Sequence, residues 1–206
     1  MTKIDIGSEI KRGWELFMAP GNMVLLILVT LVAALLTLFS CLILAGPMVA
    51  GVFLIIQRLL KNDPEKPKVG DIFKGFDYFL NTFLFLLAGF CIGAVLMLIP
   101  VLGQISGLIL GELLSIGLML IVFKKMSFVD ALKKLVEGIS TGPFWMLVLT
   151  LFIANIISSL GAIACLVGVL FTAPLAACIM VCAYNTAYGD TTPVPAPALP
   201  QPEEEP

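Results

Sequence analysis

The chain has 206 residues, of which 60% are hydrophobic and 13% charged, and its formal net charge is −2. Soluble domains carry about 25% charged and about 45–50% apolar residues, so a mean hydropathy of +1.08 excludes an ordinary soluble domain and favours lipid as the solvent. The sequence contains no histidine, which removes the commonest metal ligand and general base.

The first apolar stretch follows an amphipathic N-terminal segment. We predict an interfacial helix over 4–18, a membrane span over 22–44 and a shorter span over 47–60. The Ala-Gly-Pro sequence at 45–47 separates the two spans, because a single helix across 23–56 would be about 50 Å long, too long for a ~30 Å hydrocarbon core. The charged N-terminal segment matches no cleavable signal peptide, so we expect the first span to be retained.

The second apolar stretch is long enough for two spans. We predict an interfacial helix over 70–79 and spans over 80–99 and 103–123, with the break at Ile99-Pro100. Proline favours such a break because it lacks the backbone N–H that an uninterrupted helix needs.

The third apolar stretch repeats this organisation. Apolar residues at helical spacing predict an interfacial helix over 127–139, opened by a capping box of Ser127 and Asp130. Spans are predicted over 143–163 and 167–188, with a helix-breaking region at 168–174.

The C-terminal residues differ in composition from the rest. Residues 190–206 contain six prolines, five of them closely spaced within 193–202, with a closing acidic run and no aromatic residue, which predicts a disordered Pro-rich acidic tail. Residues 1–189 then form one membrane domain.

The distribution of charge predicts the orientation of the spans. All 12 Lys and Arg lie within 3–12, 58–74 and 124–134. Because Lys and Arg favour the cytoplasmic side in short loops, we predict an inner-membrane protein with both termini in the cytoplasm. The fold class is therefore all-α: a polytopic membrane protein of six transmembrane helices in three hairpins, each preceded by an amphipathic interfacial helix.

Three short motifs recur before the hairpins. RGWELF (12–17) and KGFDYF (74–79) match position by position, and KKLVEGIS (133–140) is a looser copy. AGPMVAG (45–51) and TAPLAAC (172–178) occupy corresponding places in the first and third units. The pattern indicates an internal threefold repeat.

The order of these motifs resembles an uncharacterised family of small bacterial multi-pass integral membrane proteins, a domain of unknown function. The resemblance covers roughly residues 6–188 and depends on GWELF (13–17), GPMVAG (46–51), GDIFKGF (70–76), Ile99-Pro100, and the ending from Ala173-Pro174-Leu175 to Ala183-Tyr184. It implies a bacterial six-helix membrane protein and no particular reaction.

Glu112 is the one carboxylate in the middle of a predicted span. An ionisable group there is a functional hypothesis by default. On a helical wheel it shares one side with Gln104 and Ser115. Candidate partners are Asn155, Ser158 and Ser159 in the fifth span, and Thr30 or Thr37 in the first. The alternatives are a neutral interhelical hydrogen bond, a proton or cation relay, and an isolated substitution without a role.

Small residues predict where helices approach closely. Gly103, Gly107, Gly111 and Ser115 recur every four residues, a spacing that lets a neighbouring helix come near, so Glu112 is expected to lie beside a packing face. The pair Gly89 and Gly93 has the same spacing and the same interpretation. These packing residues and the polar group around Glu112 are the candidate sites.

The sequence favours a non-enzymatic function. We predict no catalytic residues, no metal and no cofactor, since the spans offer one carboxylate and no histidine, and Cys178 and Cys182 are interpreted as packing residues. The expected partners are the lipid bilayer and a membrane protein or a second copy of the chain, with no nucleic acid. We expect a membrane-organising or partner- and lipid-interacting protein; the alternative is a small transporter or channel component with Glu112 as its proton or cation site.

Overall fold

The structure is a computed structural model that describes residues 4–40, 43–98, 100–163 and 165–189, with the side chains at 100–106, 108, 160, 162–163 and 165–167 outside the description. Every regular element in these residues is helical, which confirms the all-α class. The elements are α1 (Ile6–Met18), α2 (Asn22–Phe39), α3 (Ala45–Leu60), η1 (Val69–Tyr78), α4 (Phe79–Met97), α5 (Pro100–Lys124), α6 (Phe128–Ile139), α7 (Gly142–Ile163) and α8 (Cys165–Tyr188).

Local signals in the sequence account for several helix starts. Asp5 caps α1, accepting a 3.1 Å hydrogen bond from the Ser8 N–H, and Ser127 caps α6 by accepting from the Asp130 N–H at 3.3 Å. α5 begins at Pro100, where a missing N–H costs nothing. Such caps satisfy backbone groups that a helix cannot pair internally.

η1 is a 3₁₀ helix, whereas the spacing of its apolar residues predicted an α-helix. Its buried residues, Ile72 and Gly75, lie three apart, and the 3₁₀ geometry of three residues per turn places both on one line. A Cβ on Gly75 would meet the Pro47 carbonyl and lie 2.6 Å from the Gly51 nitrogen. The absence of a side chain at Gly75 therefore allows η1 to approach α3 closely.

The predicted break at 168–174 is wrong, because α8 continues through Pro174. Thr172 Oγ1 lies 3.0 Å from the Gly168 carbonyl oxygen and 3.0 Å from the Ser158 carbonyl oxygen, and donates to both. The hydroxyl two residues before the proline thus hydrogen-bonds to backbone carbonyls in the turn that leads into it. A Cβ on Gly161 would lie 2.7 Å from the Gly168 oxygen. The absence of a side chain at Gly161 therefore allows the close packing of α7 on α8.

The helix contacts follow one rule that recurs three times. α3, α5 and α8 contact one another. Each of them also packs against the helix that comes directly before it in the chain, which gives the pairs α2 with α3, α4 with α5, and α7 with α8. The first helix of each pair also contacts the second helix of the preceding pair: α2 contacts α8, α4 contacts α3, and α7 contacts α5. The short elements obey the same order, with α1 on α8 and α7, η1 on α3 and α2, and α6 on α5 and α4.

Four segments in the described residues are long and apolar enough to cross a membrane: Asn22–Phe39, Val69–Met97, Gly142–Ser159 and Gly168–Tyr188. Large apolar side chains are exposed along α2, α4 and α7; they include Val24, Leu28, Leu35, Leu87, Phe90, Val95, Met146, Leu149 and Ile156. Contiguous exposed apolar surface of this extent indicates a lipid- or protein-covered face. The chain is thus compatible with a membrane protein.

Candidate functional site

Glu112 lies buried between α5 and α7 and is hydrogen-bonded to Asn155. Its side chain is 3% exposed, and Asn155 Nδ2 donates to its Oε1 over 2.6 Å. The other oxygen, Oε2, is buried and has no partner among the described residues. The structure therefore brings together two of the four predicted polar residues.

The pair lies near the outer face of the bundle. Asn155 is exposed on α7, although its amide reaches inward to Glu112. One oxygen of Glu112 accepts the amide hydrogen, and a proton on the other would make a neutral pair that an apolar surrounding tolerates. The arrangement can join two helices or hold one exchangeable proton.

The other predicted partners lie elsewhere. Ser115 Oγ donates to the Gly111 carbonyl of its own helix at 3.1 Å, and Ser159 Oγ donates to the Asn155 carbonyl at 2.8 Å. The side chain of Gln104 lies outside the described residues. Thr30 and Thr37 line a separate cavity of about 470 Å³ among α2, α3 and α8. Within the described side chains, Glu112 has a single partner.

The predicted small-residue face on α5 makes no close contact with the described residues of this chain. A Cβ on Gly107 or Gly111 would meet no described atom within 4 Å, and Gly103 has no described environment. The close approach lies on other faces of α5. Gly117 is tight, since a Cβ there would lie 2.5 Å from Phe85 Cε1 and 2.9 Å from its Cε2. α5 is apolar all round, so its periodicity could not identify which face packs.

The close packing between α4 and α5 places the glycines on α4 and the leucines on α5. A Cβ on Gly89 would lie 3.0 Å from Leu114 Cδ1, and one on Gly93 would lie 3.3 Å from Leu110 Cδ2. Leucine side chains thus fill the space that two absent Cβ atoms leave. This packing fixes the position of α5 and, with it, the orientation of Glu112.

A second polar cluster, which the sequence analysis missed, joins α1 to α8. Glu9 is 2% exposed and accepts a 2.8 Å hydrogen bond from Thr186 Oγ1, while Arg12 Nη1 lies 3.3 Å from Glu9 Oε1 and donates to Thr186 Oγ1 over 2.9 Å. Glu9, Gly13 and Phe17 are the buried residues of α1 and recur every four residues. That period could have identified Glu9 as a buried carboxylate.

A reciprocal amide pair joins α3 to α8 next to this cluster. Gln57 Nε2 donates to Asn185 Oδ1 at 3.0 Å, and Asn185 Nδ2 donates back to Gln57 Oε1 at 2.6 Å. Asn185 precedes Thr186 directly, so one turn of α8 binds both α1 and α3. No sequence signal marks such a pair, because each amide stands alone in its segment.

The loop after α3 is held by ion pairs. Arg58 Nε lies 2.9 Å from Asp63 Oδ2, and Arg58 Nη1 lies 3.0 Å from Asp71 Oδ2. The hydrogen bond from Arg58, with a second from the Glu65 N–H, lowers the pKa of Asp63 below its ordinary 3.8. These contacts fold the loop against the end of α3 and the start of η1.

The described residues contain no group of three His, Cys, Asp or Glu that could hold a metal ion. Comparison of the chain with known protein families, with curated proteins and with solved structures gives no match. The site is therefore interpreted from its own geometry.

Proposed function

We propose that the chain is an integral membrane protein of six membrane helices in three hairpins, with its Lys- and Arg-rich ends in the cytoplasm, that organises lipids or membrane partners without catalysis. One observation carries this proposal. Polar side chains bond in clusters near the charged helix ends, whereas the apolar middle of the bundle contributes the single Glu112–Asn155 pair among the described residues.

The threefold recurrence of helix contacts supports the three-hairpin architecture. Gly13 and Gly75 hold the same position in the two matching hexapeptides, RGWELF and KGFDYF. Gly13 lies against α8, where a Cβ would be 2.8 Å from the Ile179 nitrogen, and Gly75 lies in the same way against α3. α8 and α3 carry the corresponding motifs TAPLAAC and AGPMVAG. Each interfacial helix thus packs on the second helix of the preceding unit, and α1 on α8 closes the ring.

The shortness of α3 agrees with a membrane position inside such a ring. Its 16 residues make a helix of about 24 Å, less than the ~30 Å hydrocarbon core. Ten of those residues are buried by neighbouring helices. A helix covered by protein does not need to match the bilayer thickness, because its backbone ends are shielded from lipid.

A scaffold fits the polar inventory better than a transporter does. A transport path needs several polar groups that converge at one depth. Two threonines are fully buried and bond to the backbone four residues earlier. Thr82 Oγ1 donates to the Tyr78 carbonyl at 2.9 Å, and Thr150 Oγ1 donates to the Met146 carbonyl at 2.8 Å. These hydroxyls hydrogen-bond to nearby backbone and make no hydrogen bond with Glu112 or Asn155.

The alternative is a proton or cation path that uses Glu112. The unpartnered, buried Oε2 favours it, because a titrating relay needs an oxygen free to exchange a proton.

Reconstitution into liposomes that contain a pH-sensitive dye separates the two functions. The proposal predicts that the wild-type chain leaks protons no faster than empty liposomes across an imposed pH gradient. A wild-type flux that Glu112→Gln abolishes at unchanged melting temperature would establish the alternative, since an amide cannot titrate. Retention in the pellet after alkaline carbonate extraction tests membrane integration independently.

A further inference from the structure

A polar cavity of about 490 Å³ opens where α5, α6 and α8 end. It is lined by Lys124, Lys134, Glu137, Gly138, Thr141, Ala187, Tyr188 and Gly189. Its volume lies in the range of about 300–1,000 Å³ that is usual for small-molecule sites. Two of the lining residues come from the last turn of α8 and one from the last turn of α5, so the cavity lies at the charged end of the bundle.

The cavity carries an excess of positive charge. Lys134 Nζ pairs with Glu137 Oε2 at 3.3 Å, which leaves Lys124 as the uncompensated charge of the lining. Among the described residues no carboxylate pairs with Lys124, whose ammonium lies 5.8 Å from the centroid of the Tyr188 ring. A cation over a ring face in a cavity keeps its hydrogen-bond donors available to a ligand.

Tyr188 supplies a second donor without a partner. Its Oη is buried and makes no hydrogen bond with the described residues. A buried hydroxyl without a partner costs free energy that an incoming acceptor would recover. Lys124 and Tyr188 thus both line the cavity, and neither the ammonium nor the phenol has a hydrogen-bond acceptor among the described residues.

We propose that this cavity binds the phosphodiester headgroup of an acidic phospholipid from the cytoplasmic leaflet. Phosphate oxygens accept hydrogen bonds from both groups, and basic pockets between membrane helices on the cytoplasmic side suit anionic headgroups. The inference rests on the proposed membrane function, because a lipid reaches the cavity only if the charged helix ends lie at the bilayer surface.

The probe is phosphatidylglycerol, titrated into the full chain in non-ionic detergent, with phosphatidylcholine and inorganic phosphate as comparison ligands. The measured quantity is the lipid concentration at the midpoint of the rise in melting temperature. We expect phosphatidylglycerol to stabilise the chain at concentrations at which phosphatidylcholine has no effect. Equal stabilisation by both lipids would overturn the proposal.

A charge-matched pair of variants tests the location. Lys124→Gln with Lys134→Gln removes both cavity cations, whereas Lys125→Gln with Lys133→Gln removes two adjacent exposed cations that do not line the cavity. Because only the cavity lysines would bond the phosphate directly, we expect loss of the cavity pair to raise the midpoint about 10-fold or more, and loss of the control pair to raise it less than about 3-fold. An equal loss in both pairs would mean non-specific attraction and would overturn the site.

Tyr188→Phe removes only the unpartnered hydroxyl. We expect it to fold as the wild type does in lipid-free detergent and to raise the midpoint severalfold. An unchanged midpoint would remove Tyr188 from the site and contradict the proposed geometry.

Two further outcomes identify another occupant. Inorganic phosphate that stabilises the chain at millimolar concentration and displaces the lipid would show a free anion as the ligand. The second outcome concerns a chain that ends at residue 189. If Lys124→Gln with Lys134→Gln no longer changes the phosphatidylglycerol midpoint in that shorter chain, the acidic tail is the occupant of the cavity. Either result overturns the lipid assignment. A chain that alkaline carbonate releases from membranes would instead contradict the proposed function itself.

Discussion

Asn155 on α7 donates a 2.6 Å hydrogen bond to Oε1 of Glu112 on α5, and the second oxygen of that carboxyl group is buried without a described partner. An ionisable side chain in this setting is tolerated when it is neutral and bonded, and costly when it is left alone. The pair therefore joins α5 to α7, and replacing Asn155 should change the stability of the chain by a different amount from replacing Glu112.

Asn155→Leu should destabilise the chain more than Glu112→Leu. The first change leaves a buried carboxyl group without its donor, at a cost of about 1–3 kcal/mol, whereas the second removes the buried polar group. For a chain of this length each kcal/mol corresponds to about 2–4 °C in melting temperature. The measurement is thermal unfolding in detergent, with Glu112→Gln as the control that keeps an acceptor and the side-chain size. Equal losses in the two leucine variants would contradict this asymmetry.

Gly117→Val should lower the melting temperature by several degrees, and Gly111→Val should change it little. A side chain at Gly117 collides with the buried ring of Phe85, and such overpacking costs about 1–3 kcal/mol. A side chain at Gly111 meets open space. The reverse order of stability would show that Gly111 packs against a partner, such as a second copy of the chain.

Thr186→Val should destabilise the closure of α1 on α8. The methyl group replaces the hydroxyl that donates to Glu9 and accepts from Arg12, so a buried carboxylate loses a partner. We expect a loss of about 1–3 kcal/mol in thermal unfolding. Thr30→Val is the matched control, because Thr30 Oγ1 is buried with no described partner and its loss should be neutral or stabilising. Destabilisation by both changes to the same extent would attribute the effect to packing alone.

The loop after α3 should loosen at low pH. The pKa of Asp63 is lowered in the folded state from an ordinary 3.8, so its stabilising contribution is present above about pH 4 and is lost as the pH falls through the lowered value. Hydrogen-exchange protection of the Glu65 N–H, which donates to Asp63 Oδ1, reports this directly. Asp63→Asn should reduce protection at pH 6, and its difference from the wild type should shrink as the pH falls through the lowered pKa. A difference that persists at low pH would refute the role of this carboxylate.

Much of the fold follows from the sequence. Hydropathy, the prolines at 47 and 100 and the cap at Ser127 place helices within a few residues of where the structure has them. These signals are local, since a helix needs its backbone groups paired within the segment.

The orientation of the apolar helices does not follow from the sequence. α5 has no polar face, so spacing alone placed the packing at Gly111, whereas the structure places it at Gly117. Gln57 and Asn185 meet across 128 residues, a relationship that only the tertiary contacts create. Local patterns therefore predict elements, and the site depends on how those elements pack.

The central claim is that three hairpins place all Lys- and Arg-rich ends on one side of the membrane. Single cysteines at Glu65, Ser140, Ile43 and Leu98, in a chain whose five native cysteines are replaced by alanine, test it by labelling with an impermeant maleimide. The account predicts that Glu65 and Ser140 are labelled only from the cytoplasmic side and Ile43 and Leu98 only from the opposite side. Labelling of Ile43 and Glu65 from the same side would show that α3 does not cross, and would contradict the three-hairpin architecture.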